Sequence, residues 1–338
     1  MNYSDVLINA KKNIGPNCKV CPDCNGIACG NTLPGPGSKA PGNGARTNRE
    51  GWKNIRVNMD VIAPEAEILS SFEFLGKHFD FPVFTAPVGA LSGQYNQGDS
   101  IFDFNEAMIG AAKEFGCAAF FGDGMESGVL EAALKCGIAA GNVAVPVLNP
   151  VAKKLMLKNI DIINSYMPFA MTLVIDSAGL PHFKKNRPDC QTRTVSELSE
   201  LISAAKMPVI LKGIMTAKAA EKAVLAGASG IIVSNHGGRA LSDGASTAEV
   251  LPEIADAVGG KIKIIVDGGI RTGVDVFKAL ALGADAAMIC RPVIIAHYGG
   301  AKEGICAYFD KLRTELLDTM YLCGARKLSE ITREMIRF

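Results

Sequence analysis

Residues 230–239 read GIIVSNHGGR, and the two halves of that stretch obey different rules. Ile231, Ile232 and Val233 are apolar and β-branched, the pattern of a strand buried on both faces of a parallel sheet. Ser234, Asn235, His236, Gly237, Gly238 and Arg239 form the loop that such a strand delivers. His236 and Arg239 therefore arrive together at one strand end. They set a proton acceptor beside a fixed cationic fork, with two glycines that allow close backbone approach.

The same alternation recurs outward from this stretch. Short β-rich runs fall at 83–86 (β1), 118–121 (β2), 143–147 (β3), 171–175 (β4), 209–211 (β5), 230–233 (β6), 262–266 (β7) and 286–289 (β8). Between them lie Ala-, Leu-, Lys- and Glu-rich stretches of helical character at 104–115, 127–135, 195–205, 217–226, 248–258 and 273–282. Parallel strands require crossovers, and eight of them close on themselves, so the pattern predicts an α/β fold, a (β/α)8 TIM barrel. A doubly wound open sheet is the alternative; the lack of a GxGxxG after the first strand weighs against it. Residues 1–50 stand apart as a short helix ending near Gly15 and a cysteine-rich lid, whose run NTLPGPGSKAPGNGARTN is read as irregular. Residues 51–338 are assigned to the barrel.

Bulk composition narrows the function classes. With 35 Lys and Arg against 34 Asp and Glu the net charge is +1, which points away from nucleic acid as a partner. No run of about 18 apolar residues is present, so no membrane span is expected. The first residues, MNYSDVLINAKKNIG, have neither the apolar core nor the cleavage site of a signal peptide, and a cytoplasmic location is expected.

In a barrel the strand C-termini share one pocket. The residues placed there are Ala86 and Pro87 after β1, Asp176 after β4, Lys212 at the end of β5, Ser234 and His236 after β6, Asp267, Gly269 and Arg271 after β7, and Cys290 and Arg291 after β8. A glycine-rich turn with two arginines fits the phosphate site common to barrels, which implies a phosphorylated cofactor. Each residue also has a plainer reading. Lys212, Arg271 and Arg291 could be rim charges, Asp267 a turn cap, and Asp176 a structural acid. Lys212 emerges from a buried strand, and a carboxylate such as Asp176 beside His236 would raise its basicity and fix its tautomer. His78, His182 and His297 lie away from the strand ends and are read as structural.

The run from Val209 to Pro292, with SNHGGR, DGGIR and a lysine on β5 in that order, resembles the FMN-dependent α-hydroxy acid oxidase and dehydrogenase family, which includes glycolate and lactate oxidases. The resemblance is dense over 209–328, weaker over 48–176 and poor before that. It implies FMN as cofactor. Lys212 would lie near flavin N1 and the C2 carbonyl, and His236 would be the base, with Asp176 as its orienting partner. Arg239 would hold the substrate carboxylate. Ser234 would touch the flavin, Ala86 and Pro87 would pack at its N5 side, and Gly269, Arg271, Cys290 and Arg291 would bind its phosphate, with Asp267 beside them. The family usually has glycine where Cys290 stands. It also implies a small carboxylate substrate and a homo-oligomer, a tetramer by resemblance.

The departures fall on the substrate side. CKVCPDCNGIAC occupies the place of the family's N-terminal active-site tyrosine. VPVLNP, with Leu148 as the nearest equivalent, occupies the place of a second one, and FFGDGMES lacks an aromatic residue often found there. Both substrate tyrosines are therefore expected to be missing.

Four of the ten cysteines, Cys18, Cys21, Cys24 and Cys29, fall in twelve residues, while the other six are scattered through apolar contexts as core residues. Four thiolates suffice for a tetrahedral site. The first three resemble the ferredoxin-type iron–sulfur spacing, and zinc or unliganded thiols are the alternatives. The reading of the whole chain is an FMN-dependent oxidoreductase acting on a 2-hydroxy acid, with an iron–sulfur cluster under the lid passing electrons to an external acceptor. A barrel reductase or isomerase, and a flavin and metal electron-transfer protein with little turnover, are the alternatives.

Overall fold

The computed structural model describes residues 1–338 except Gln97 and Met125, and nothing of the side chains of Pro181 and His182. Met125 of FFGDGMES and the side chain of His182 thus lie outside the described residues.

Eight parallel strands close into a barrel in the order β7-β8-β1-β2-β3-β4-β5-β6. They are β1 Val83–Thr85, β2 Ala119–Gly122, β3 Ala144–Leu148, β4 Met171–Val174, β5 Val209–Ile214, β6 Gly230–Val233, β7 Lys263–Asp267 and β8 Ala286–Ile289. The β-branched and aromatic runs fill the interior, and β1, β2, β3, β4, β6 and β8 are buried at every residue. The predicted strands are all present. β5 extends three residues further than expected, through a register shift between Lys212 and Ile214.

The helices lie outside. They include α1 Tyr3–Asn13, α2 Gly44–Asn54, α3 Ile101–Phe115, α4 Val129–Ala139, α5 Lys153–Tyr166, α6 Pro181–Asn186, α7 Val195–Ala204, α8 Ala217–Leu225, α9 Thr247–Val258, α10 Gly273–Ala281 and α11 Arg291–Leu322. Capping boxes start α7, α9 and α10, with Thr194, Ser246 and Thr272 each answered by an acid three residues on.

α2 corrects one expectation, because the end of the supposedly irregular run is helical and the helix crosses residue 50. Asn43 caps it by accepting from the Arg46 N–H. Its buried face is then tied to the barrel by polar groups. Arg49 reaches Asp275 at 2.8 Å, Trp52 Nε1 donates to the Gly268 carbonyl at 2.8 Å, and Lys278 donates to the Trp52 carbonyl at 3.0 Å. Tertiary contacts thus override the low helix propensity of GARTN. No helix among the described residues is long and apolar enough to cross a membrane.

Candidate active site at the strand ends

A cavity of about 520 Å³ opens at the C-terminal ends of the strands. Ala86, Pro87, Lys212, His236, Arg239, Asp267, Gly269, Arg271, Cys290 and Arg291 all contribute to its wall, as expected of them. Asp176 and Ser234 are not among the wall residues; they stand behind it, bonded to His236 and Lys212.

Two charged arrangements organise the β4 to β7 side. Lys212, 3% exposed, donates to Ser234 Oγ at 2.8 Å and to Asp267 Oδ2 at 3.0 Å. Ser234 Oγ also donates to the same Asp267 oxygen, at 2.9 Å. Burial opposes the ammonium charge, but Asp267 and Asp176 outweigh it and hold Lys212 above its ordinary value. Asp267 is thus a partner of the lysine rather than only a turn cap. Two of the three Lys212 protons are committed among the described residues, which leaves one for the cavity.

In the second arrangement, His236 Nδ1 lies 3.0 Å from Asp176 Oδ1. Burial pushes the Asp176 carboxyl up, but His236 and Lys212 prevail and hold it below the usual carboxylate range. An ionised Asp176 accepts, so Nδ1 carries the proton and Nε2 is the basic nitrogen. His236 has φ +57°, a conformation costly for a side-chain-bearing residue. The loop that imposes it is fixed from α2. The buried amides of Asn48 and Asn235 exchange hydrogen bonds at 2.7 and 2.8 Å, and Asn235 also accepts from the Gly238 N–H. A Cβ on Gly44 would stand 2.6 Å from the Gly238 Cα, so this close approach of helix and loop requires glycine.

The lid meets the cavity arginines through backbone carbonyls. Arg239 Nη1 donates to Gly35 and Gly37, and Nη2 to Gln94 Oε1 at 2.6 Å. Arg291 donates to Pro36, Gly37 and Gly237, and Arg271 Nε to the Cys24 carbonyl at 2.8 Å. Among the described residues nothing takes Arg239 Nε or the second Nη2 proton, the pair that forms a side-on fork for a carboxylate. Burial, and then Arg291, lower the Arg239 guanidinium from its ordinary value, so an incoming anion would relieve both.

Among the wall residues that sequence reasoning missed, three bear on the site. Tyr95, 6% exposed, lies in the cavity, so the site does hold a tyrosine, supplied by the segment after β1 rather than by the N-terminus. Gln94 beside it holds Arg239. Asn149, not Leu148, faces the cavity after β3, since Leu148 is fully buried while Val147 and Asn149 share the cavity side. Strand alternation would have found Asn149; nothing in the sequence marks Gln94 or Tyr95.

Cys18, Cys21, Cys24 and Cys29 are free thiols at half-buried positions in one loop. Burial pushes the Cys18 thiol up to about 11, and Cys24, Cys29 and Cys21 add to the rise. Among the described residues no three His, Cys, Asp or Glu side chains form a group that could hold a metal ion as they stand.

The sequence profile of the FMN-dependent dehydrogenase family matches residues 37–187 and 103–338. A 2-hydroxyacid oxidase of Dictyostelium discoideum is 48% identical over 143 residues, 42% of this chain and 37% of that protein. A peroxisomal (S)-2-hydroxyacid oxidase of Arabidopsis thaliana is 45% identical over 141 residues, 42% of this chain and 39% of that protein. The matched part thus spans less than two fifths of either relative. An arginine-to-leucine variant of mandelate oxidase with 2-hydroxy-phenylacetamide superposes with a TM-score of 0.81 at 25% identity, covering 99% of this chain and 97% of that one. A mandelate oxidase tyrosine-to-phenylalanine variant with 4-Br-2-hydroxy-methylphenylacetate gives 0.79 at 26%, covering 97% and 98%. Since the two profile matches together run from residue 37 to the last residue and the strand-end groups converge on one cavity, the chain belongs to the FMN-dependent dehydrogenase family.

Proposed function

We propose that this chain is an FMN-dependent oxidoreductase that oxidises the hydroxyl-bearing carbon of a small 2-hydroxy acid to a 2-oxo acid. The observation that carries the reading is that His236, backed by Asp176 at 3.0 Å, lies in the wall that also presents Lys212 and Arg239. A mere flavin carrier has no use for a poised base beside a carboxylate fork.

The residues fit FMN. The cavity volume of about 520 Å³ lies within the usual roughly 300–1,000 Å³ of cofactor sites. Its phosphate end would be held by Arg271, by Gly269, and by the N-terminus of α11, where Cys290 offers no side-chain cap. Pro292 has no N–H and the Val293 and Ile294 N–H groups go to the Cys290 carbonyl, so among the described residues the backbone donors left for an anion are those of Cys290 and Arg291. Cys290 serves there through its backbone, so the loss of glycine is tolerated. Arg291 would join the phosphate by leaving the lid carbonyls. Ala86 and Pro87 would flank the ring, and the third proton of Lys212 would meet its electron-rich edge, with Ser234 and Asp267 holding the lysine in place. Bound FMN supplies the acceptor for the hydrogen and two electrons that leave C2.

Arg239 Nε and Nη2 would bind the substrate carboxylate, with the Tyr95 phenol nearby. His236 Nε2 takes the hydroxyl proton as the C2–H bond breaks, and Asp176 stabilises the imidazolium that results. Mixing the anaerobic protein with a panel of 2-hydroxy acids tests the assignment. Bleaching of the flavin by at least one member is expected; bleaching by none overturns it.

We further propose that Cys18, Cys21, Cys24 and Cys29 take an iron–sulfur cluster, with zinc as the competitor, to give the electrons a way out to an external carrier. Support comes from the spacing and from thiols near enough to raise one another; binding would require the loop to draw in. Iron and visible absorbance in anaerobically purified protein are expected, and zinc alone or no metal overturns the idea. Ten unpaired cysteines suit a reducing cytoplasm, and exposed Met59, Val61 and Ile62 would suit contact between subunits of a homo-oligomer.

A further inference from the structure

The β2 and β3 ends carry a hydrogen-bonded chain that the oxidation does not use. Asn149, in the cavity wall, gives its backbone N–H to Asp123 Oδ2 at 3.2 Å and its side-chain Nδ2 to Asp123 Oδ1 at 2.6 Å. Its Oδ1 accepts from Ser177 Oγ at 2.9 Å. Ser177 is the residue after Asp176, so the chain ends one residue from the partner of His236. Burial pushes the Asp123 carboxyl up from its ordinary value, and the two Asn149 hydrogen bonds oppose that rise.

The clamp fixes which way the amide faces. Asp123 Oδ2 accepts the Asn149 backbone N–H and Oδ1 accepts from Nδ2, so the amide oxygen faces Ser177, whose hydroxyl donates to it. Two bonds are thereby committed among the described residues. One Nδ2 proton and one Oδ1 lone pair remain, on a residue that lines the cavity. A donor and an acceptor side by side suit a group that can both accept and donate, which is a hydroxyl. The 2-hydroxyl belongs to His236 and the carboxylate to Arg239, so the matching group must be a further one. Asn186 adds another amide to the same wall, with Leu180 and Phe183 as its apolar floor.

We infer that the substrate is a short hydroxy acid bearing a second hydroxyl next to the reacting carbon, and that Asn149, held by Asp123 and Ser177, is the residue that selects it. This rests on the oxidation proposed above. Asn149 would touch substrate; Asp123 and Ser177 are positioning residues.

Lactate and glycerate differ by a single C3 hydroxyl, and anaerobic flavin bleaching by both enantiomers of each provides the test. Wild type should favour glycerate in reduction efficiency by at least about tenfold, the value of one well-made hydrogen bond to substrate. Asn149→Leu, close to isosteric, should bring that ratio near one while FMN affinity stays unchanged. Ser177→Ala, the milder change, should cut it by roughly threefold, and decides the matter if the leucine variant does not fold. A wild type that treats the two acids alike, or variants that keep the wild-type ratio, overturns the role of Asn149 and leaves the oxidation standing. Bleaching by neither of these acids nor by any other 2-hydroxy acid overturns both.

Discussion

On the β4 to β7 side of the barrel mouth the polar groups are charged and matched in pairs, Lys212 with Asp267 and His236 with Asp176. On the β2 and β3 side one carboxylate is answered by the backbone N–H and side-chain amide of Asn149, and that amide in turn by a hydroxyl. The difference has an energetic meaning. A charged pair that loses one member leaves the other buried and uncompensated, whereas a neutral amide that loses a contact forfeits a modest net hydrogen bond. The first side should govern stability and rate, and the second selectivity.

The sharpest way to break this comparison is Lys212→Met, which strands Asp267. It should cost about 3–5 kcal/mol in urea unfolding, the usual range for one partner lost from a buried pair; a cost below about 1 kcal/mol would mean the pair is effectively solvated. Next, His236→Ala should leave FMN bound yet slow anaerobic flavin reduction by at least roughly 10², as loss of a general base does. An unchanged reduction rate would remove His236 from the chemistry. Arg239→Lys keeps the charge but loses the fork, and KM for carboxylate substrates should rise by about tenfold, the worth of one charge-assisted hydrogen bond. If KM does not move, the substrate carboxylate is bound elsewhere.

The smallest effect is in acid. Asp176 is held below its unfolded value, so its charge contributes stability above about pH 4 that is lost as pH falls through the folded value. Urea midpoints should therefore drop more steeply below about pH 4 in wild type than in Asp176→Asn. Parallel curves would show that the His236 contact adds no stability.

What could be read in advance divides along the same line. Runs such as GIIV and KIIVD announce buried strands by composition, and the strand-end rule then places Lys212, His236 and Arg271 with no knowledge of contacts. α2 was hidden because its helix forms on tertiary anchors, Arg49 to Asp275 and Trp52 to Gly268, that no local pattern encodes. Gln94 and Tyr95 reach the cavity by the path of a loop, and loop paths have no period. Asn149 was accessible through the two-residue alternation of β3 and was missed by one position. The four cysteines are the converse case, in which spacing suggests a metal centre and the described side chains do not assemble one as they stand.

The carbonyl contacts of the lid bear on how this segment can change over evolutionary time. Every residue type carries a backbone C=O, so what Arg239 and Arg291 meet at residues 35–37 does not depend on side-chain identity. Gly35 and Gly37 are the exceptions, since Gly35 has φ +144° and a Cβ on Gly37 would lie 2.0 Å from the Cys29 carbonyl oxygen. Substitutions elsewhere in the loop are thus compatible with an intact latch as long as the chain path survives. A counterpart in a diverged sequence would be traced by its glycines and its turn-forming prolines, and would leave no acidic partner to find.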